Sequence, residues 1–207
     1  MIIGTIGRLG KGKTLTMAIQ AYLYFMSGGH VFSNIWLKFP HTPIKTPYDI
    51  VEIRDGFALL DEFWALADNR RSMSLRNDIV TIVCIRSRKK KFHIGYTQQY
   101  VQIDPRIRFI TDYWIRPKLW PDNLSGLPPQ IMKQQIYDGD WIEQRSRTIN
   151  VEPYLNLYDT NQDPYTLASS VTDESLKAAL EKAFRVDPGL VKDMKKLEKQ
   201  AAKKEEK

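Results

Sequence analysis

Three features of this sequence call for an α/β fold with a mainly parallel sheet flanked by helices. The segment Gly7-Arg8-Leu9-Gly10-Lys11-Gly12-Lys13-Thr14 fits the pattern G-x-x-x-x-G-K-T at every constrained position, between apolar Ile2, Ile3 and Ile6 and a helical stretch from Leu15 to Leu23. The run Phe57-Ala58-Leu59-Leu60 is continuously apolar, as a strand covered on both faces by helices is, and it ends on Asp61-Glu62. Strand-like and helix-like segments alternate over residues 1–116, the order of successive βαβ units.

Taken in order, the first strand leads through the glycine-rich loop into a helix that Ser27-Gly28-Gly29 ends, and His30 to Trp36 reads as a second strand. Pro40, Pro43 and Pro47 mark the next segment as a surface connection without regular pairing or helix. After the apolar strand, Ser72 to Lys89 carries Leu75, Ile79, Ile82, Val83 and Ile85 near helical spacing, and Phe92 to Thr97 reads as a strand ending at Gln98-Gln99. Val101 to Phe109 is a loop or a short helix broken by Pro105, and Asp112 to Arg116 is a further strand that completes the core. Pro117 to Pro129 reads as loop. Gln130 to Asn150 reads as a β-hairpin turning at Tyr137-Asp138-Gly139-Asp140-Trp141, with Tyr137 and Trp141 as packing aromatics. An extended stretch from Glu152 to Pro164 precedes a helix from Asp173 to Arg185, opened at Thr172 and broken at Asp187-Pro188-Gly189.

A length of 207 residues fits one domain, expected over residues 1–190: a core at 1–116, then a hairpin and C-terminal extension at 117–190. The charged tail, 191–207, is either a solvated helix or disorder. No apolar run approaches the ~18 residues a membrane span needs. The loop strand starts directly after Met1, so a removable leader would destroy the loop, and the lone Cys84 forms no intramolecular disulfide; both favour the cytoplasm. Net charge is +7, and residues 70–118 hold twelve Lys/Arg against Asp78, Asp104 and Asp112. Such a local excess suits a polyanion, with nucleic acid as the first partner class.

The loop pattern calls for a nucleoside triphosphate, ATP, with Mg²⁺. Gly7, Arg8, Leu9, Gly10, Lys11, Gly12, Lys13, Thr14 and Leu15 form the nucleotide-binding set: backbone N–H groups turn toward phosphate oxygens, and Lys13 reaches the β- and γ-phosphates. Thr14 would ligate the metal, helped by Asp61 at the carboxyl end of its strand, where ligands of parallel sheets sit. Glu62, next to Asp61, is the candidate general base for an attacking water. The amides of Gln98 and Gln99 fall on the same edge. Three histidines and one cysteine show no zinc-like spacing.

With loop, acid pair and strand-terminal glutamine placed, the chain resembles the FtsK/HerA superfamily of P-loop ATPases over residues 1–116. Within it, the order is similar to the short genome-packaging ATPases of archaeal viruses and their zonula-occludens-toxin-like phage-assembly relatives. The resemblance rests on Gly7 to Thr14, Asp61-Glu62, Arg88-Lys89, Tyr96-Thr97-Gln98 and Ile103-Asp104-Pro105-Arg106-Ile107-Arg108. It implies that Gln98 senses the γ-phosphate and that the protein forms a ring, usually a hexamer, in which an arginine from one subunit completes its neighbour's site. Arg88 is the first choice for that arginine, then Arg86, with Arg106 and Arg108 next. Larger members carry domains before the loop that this chain lacks, so recruitment of substrate would rest on loops, the tail or a partner.

The function expected is Mg²⁺-dependent ATP hydrolysis that moves double-stranded DNA into a viral capsid, in the cytoplasm of an infected cell or associated with the virion, with a capsid or portal-vertex protein as partner. Two alternatives stand beside it. A nucleotide or small-molecule kinase would use Arg86, Arg88 and Lys89 to clamp phosphates, and a toxin-like ATPase would drive filamentous phage assembly or export.

Overall fold

Strand β1 (Ile2–Ile6) is buried at all five positions because it has a strand on each side and helices on each face. The computed structural model describes residues 1–62, 75–99, 105–122, 125–161 and 173–205. β1 pairs in parallel with β5 (Phe92–Gln98) and β6 (Tyr113–Trp120). Beyond β5 lie β4 (Gly56–Leu60), β2 (Val31–Ser33) and β3 (Thr42–Pro43), all parallel. On the other side β7 (Ile131–Asp138) and β8 (Glu143–Asn150) add an antiparallel extension, giving the order β3-β2-β4-β5-β1-β6-β7-β8. The mainly parallel α/β architecture is therefore as the sequence predicts.

Alternation along each strand sorts the core into two layers. Ile2, Ile6, Leu60, Ile94, Tyr96 and Trp114 face a layer containing α2 (Pro47–Glu52), α3 (Leu75–Lys89), α4 (Pro105–Ile110), α5 (Asp173–Val186) and α6 (Leu190–Glu205). Ile3, Phe57, Leu59 and Ile115 face α1 (Lys13–Met26) and the segment that follows β8.

Two proline-based expectations are corrected. Pro43 lies in β3 at the sheet edge, and Pro47 sits in the first turn of α2, where a missing N–H costs nothing; Thr46 and Asp49 close a capping box there. α4 runs over Pro105–Ile110, and the residues before Pro105 lie outside the described ones. Residues 117–120 are strand, not loop: β6 continues through Pro117, because its pairing with β1 ends at Ile115 while its pairing with β7 runs on to Trp120.

The hairpin forms as the sequence suggests, and Trp141 stacks on buried Trp114 with ring centroids 4.8 Å apart and planes 10° off parallel. The charged tail is helical over most of its length. Leu190, Met194 and Leu197 recur on one face of α6 and are buried in the α3 layer. Ser72 to Ser74, Val101 to Asp104 and Thr172 lie outside the described residues.

Candidate nucleotide site

The carboxyl ends of β1, β4 and β5 meet at one edge of the sheet, with β5 between the strand that leads into the glycine loop and the strand that ends at Asp61. Gly12, the residue before α1, has φ 90°, a left-handed conformation, and a Cβ there would lie 3.0 Å from the Leu119 side chain. Gly7 and Gly10 also have positive φ, at 153° and 71°. Lys13 is buried, and its Nζ donates to the Arg8 carbonyl at 3.3 Å. Burial pulls its pKa down, and the charges of Glu62 and Asp61 oppose that shift.

Asp61 is held from every side. The Thr14 hydroxyl contacts its two carboxylate oxygens at 3.0 and 3.2 Å, and the Thr97 hydroxyl donates to Oδ1 at 2.6 Å. Asn34 grips its backbone, donating to the carbonyl at 2.8 Å and accepting from the amide at 2.7 Å. Burial raises the Asp61 pKa, and the two threonine hydroxyls and Lys13 only partly offset it, with Glu62 adding to the rise. Glu62 turns with φ 50°, and the Thr97 hydroxyl fixes the turn by accepting from the Glu62 amide at 2.9 Å. Thr97 therefore holds both acids.

These groups line a cavity of about 690 Å³, a size that suits a nucleotide. Gly10, Gly12, Lys13, Thr14, Asp61 and Glu62 form its polar wall, and Leu9 and Leu15 also reach it. Leu119, Leu155 and Tyr158 line it as well. Burial and the charge of Asp61 push the Tyr158 pKa up, which keeps its hydroxyl protonated as a donor. Lys11 lies at the rim, 3.9 Å from Asp122.

The donor set fits Mg²⁺. Thr14 and Asp61 offer adjacent hard oxygens at the cavity edge, and no group of three His, Cys, Asp or Glu is gathered among the described residues. A small ion that keeps several waters needs only one or two protein oxygens.

Other candidates are placed elsewhere. Gln98 is fully buried with both amide atoms unpartnered. Alternation turns it to the α3 side with Tyr96, opposite to Thr97, and it is absent from the cavity wall. Arg86 is buried in α3 and donates to the Val51 carbonyl at 2.8 Å, with burial and nearby Arg54 lowering its pKa. It is committed inside the chain rather than presented to a neighbour or to a substrate. Arg106 is likewise buried, paired with Asp78 at 3.1 Å and Glu198 at 3.3 Å. Arg108 is exposed, and the Arg88 side chain lies outside the described residues. Thr97, Asn34 and Tyr158 have no chemical signature of their own; for the first two, position at a strand's carboxyl end is the signal that points to them.

No family model matches the chain, and no curated protein matches it in sequence. Solved structures do match its shape. The N-terminal domain of zonular occludens toxin from Neisseria meningitidis superposes with a TM-score of 0.56 at 19% identity, over 76% of this chain and 98% of that one. The fold is that of a P-loop NTPase. Weaker matches are the flagellar accessory protein FlaH of Methanocaldococcus jannaschii and the DNA-packaging ATPase of Sulfolobus turreted icosahedral virus. FlaH gives a TM-score of 0.48 at 14% identity, over 75% of this chain and 87% of that one. The packaging ATPase gives 0.46 at 14% identity, over 71% and 95%.

Proposed function

We propose that this protein is an ATP hydrolase that works as a ring on double-stranded DNA and drives it into a viral capsid in the infected cell. The observation that carries the hydrolytic part is the convergence of Lys13, Thr14, Asp61 and Glu62 on one cavity edge, with Thr97 bridging the two acids. Loop amides and Lys13 hold the β- and γ-phosphates, Lys13 exchanging its hydrogen bond to the Arg8 carbonyl for phosphate oxygen. Mg²⁺, held by Thr14 and Asp61, would neutralise charge on the transferred phosphoryl group. Glu62 takes the proton of the attacking water, and Thr97 keeps its backbone turn in place.

The ring rests on the sequence resemblance. In a ring, an arginine from a neighbouring subunit would add to the charge neutralisation that Lys13 supplies, and Arg88 and exposed Arg108 are the candidates. The DNA and capsid parts rest on the sequence resemblance and on the basic residues. Burial of Arg86 weighs against the kinase alternative, whose phosphate clamp would use it.

Phosphate release measured across protein concentration, with and without duplex DNA, tests this reading. Turnover per subunit should rise with both, and turnover indifferent to both would refute the ring motor. Glu62→Gln should keep nucleotide binding and lose about 10²–10⁴-fold in turnover. Undiminished hydrolysis in that variant rules out the general-base role.

A further inference from the structure

The basic stretch that the sequence places at residues 70–118 does not form one surface. Arg86 and Arg106 are buried, and Lys89 pairs with Asp187 at 3.5 Å and Asp193 at 2.8 Å, which fastens α3 to the C-terminal helices. Its last two cations lie two residues apart on β6. Arg116 and Lys118 alternate along β6 onto the exposed face of the antiparallel extension, and there they meet a cation from outside the stretch, Lys133 of β7.

Lys118 and Lys133 are direct partners across the β6–β7 ladder. Like charges facing each other across a strand pair are destabilising, and an anion between them reverses the sign of that contribution. Arg116 stands one pleat away on the same face, and β8 adds Ser146 opposite Gln135 and Thr148 opposite Lys133. Together they line an open depression of about 460 Å³ whose wall, among the described residues, consists of cations and neutral hydrogen-bonding groups. Exposed Trp120 and Ile131, another cross-strand pair, rim one end.

The geometry points to this outer face of β6–β7–β8 as the surface that grips the phosphate backbone of duplex nucleic acid. The inference rests on the DNA-motor reading above and gives that motor its contact. The backbone positions that carry these cations are about 4.8 Å apart across the strands and about 6.8 Å apart along β6, so the sheet holds the bases of the side chains at fixed spacing while their tips reach phosphates. A lipid surface would instead call for apolar side chains among the cations, and here they stand only at the rim.

The same strand reaches the nucleotide. Arg116, Lys118 and Trp120 point outward from β6, whereas buried Ile115 and Leu119 point to the α1 side. Leu119 lies against Gly12 and lines the nucleotide cavity. From Arg116 onward β6 is paired with β7 alone, and Lys118 and Leu119 are adjacent in it on opposite faces.

The test is anisotropy of a fluorescent duplex of about 30 base pairs with the full chain, Mg²⁺ and a non-hydrolysable ATP analogue, across salt concentrations. Lys118→Ala/Lys133→Ala should bind about tenfold more weakly, and the slope of log affinity against log salt should flatten by about 1.8, or 0.9 for each phosphate no longer neutralised. Its melting temperature should stay level or rise, because a like-charge pair has been removed. Lys192→Ala/Lys196→Ala on α6, with the same change of charge, should shift affinity less than twofold. Duplex stimulation of phosphate release should fall with affinity in the first variant alone. If wild type binds duplex and the β6–β7 variant binds equally well, this surface is wrong while the motor stands. Equal losses in the two double variants, or wild-type preference for phosphatidylserine vesicles that the β6–β7 variant abolishes, would also overturn it. Wild type that binds no duplex defeats this surface and the motor together.

Discussion

Replacing Thr97 with valine keeps shape and β-branching and removes only the hydroxyl that bridges Asp61 Oδ1 at 2.6 Å and the Glu62 amide at 2.9 Å. A hydrogen bond to an ionised group contributes about 1.5–3 kcal/mol, and a buried N–H left without its acceptor costs about 1–3 kcal/mol. The two effects share one site and overlap, so the variant should be destabilised by about 3 kcal/mol. In a chain of this size that is a fall in melting temperature of about 6–12 °C. Function should suffer separately. Glu62 sits in a left-handed turn at φ 50° that Thr97 helps hold, and a shift of about 1 Å in a reacting group costs about a hundredfold in rate. Thermal melts and phosphate release, measured on the folded protein below the variant's transition, read the two effects independently. Thr97→Ser should recover most of both, less about 1 kcal/mol for the missing methyl group. If Thr97→Val melted within about 2 °C of wild type and turned over within about threefold, the hydroxyl would not be the group that positions the two acids.

Burial raises the Asp61 pKa, so the folded chain binds more protons than the unfolded one between the usual carboxylate value and the raised one. Metal-free stability therefore falls as pH rises through that window. Asp61→Asn should remove the dependence, its stability advantage growing with pH and then levelling; a gap constant with pH in urea melts with chelator would contradict the shift. Gly12→Ala should cost about 1–2 kcal/mol from its left-handed φ of 90° and add a Cβ 3.0 Å from Leu119. Nucleotide affinity should drop more than tenfold by titration with a fluorescent analogue, and Gly12→Ala/Leu119→Ala should recover only the clash. Arg86→Met should leave the Val51 carbonyl without its donor and destabilise the fold by about 1–3 kcal/mol in chemical denaturation. A variant with wild-type stability and abolished turnover would return Arg86 to the intersubunit role.

The glycine loop and Asp61-Glu62 are legible in sequence because their constraints are local. Eight successive residues make the phosphate cradle, and one unbroken apolar strand announces both its burial and its carboxyl end. The helix and hairpin periods are local in the same sense. Arg86 shows the limit: nothing around it in the chain separates a guanidinium buried against Val51 from one held out to a neighbour. The tail shows it from the other side, since the spacing of Leu190, Met194 and Leu197 is present in the sequence but has meaning only once α3 offers a face to bury it.

Short-range patterns along the chain are thus enough to wind a parallel α/β sheet, to put a triphosphate loop at its first turn and to end a central strand on two acids. What completes the cavity edge, and which basic residues share a face, follows from folding in three dimensions. Sheet order, set by packing between segments far apart in the chain, slides β5 between β1 and β4 and so brings Thr97 against Asp61. The same long-range pairing turns Lys118 to face Lys133 and lays Leu119 on Gly12, neighbours that no window along the chain contains.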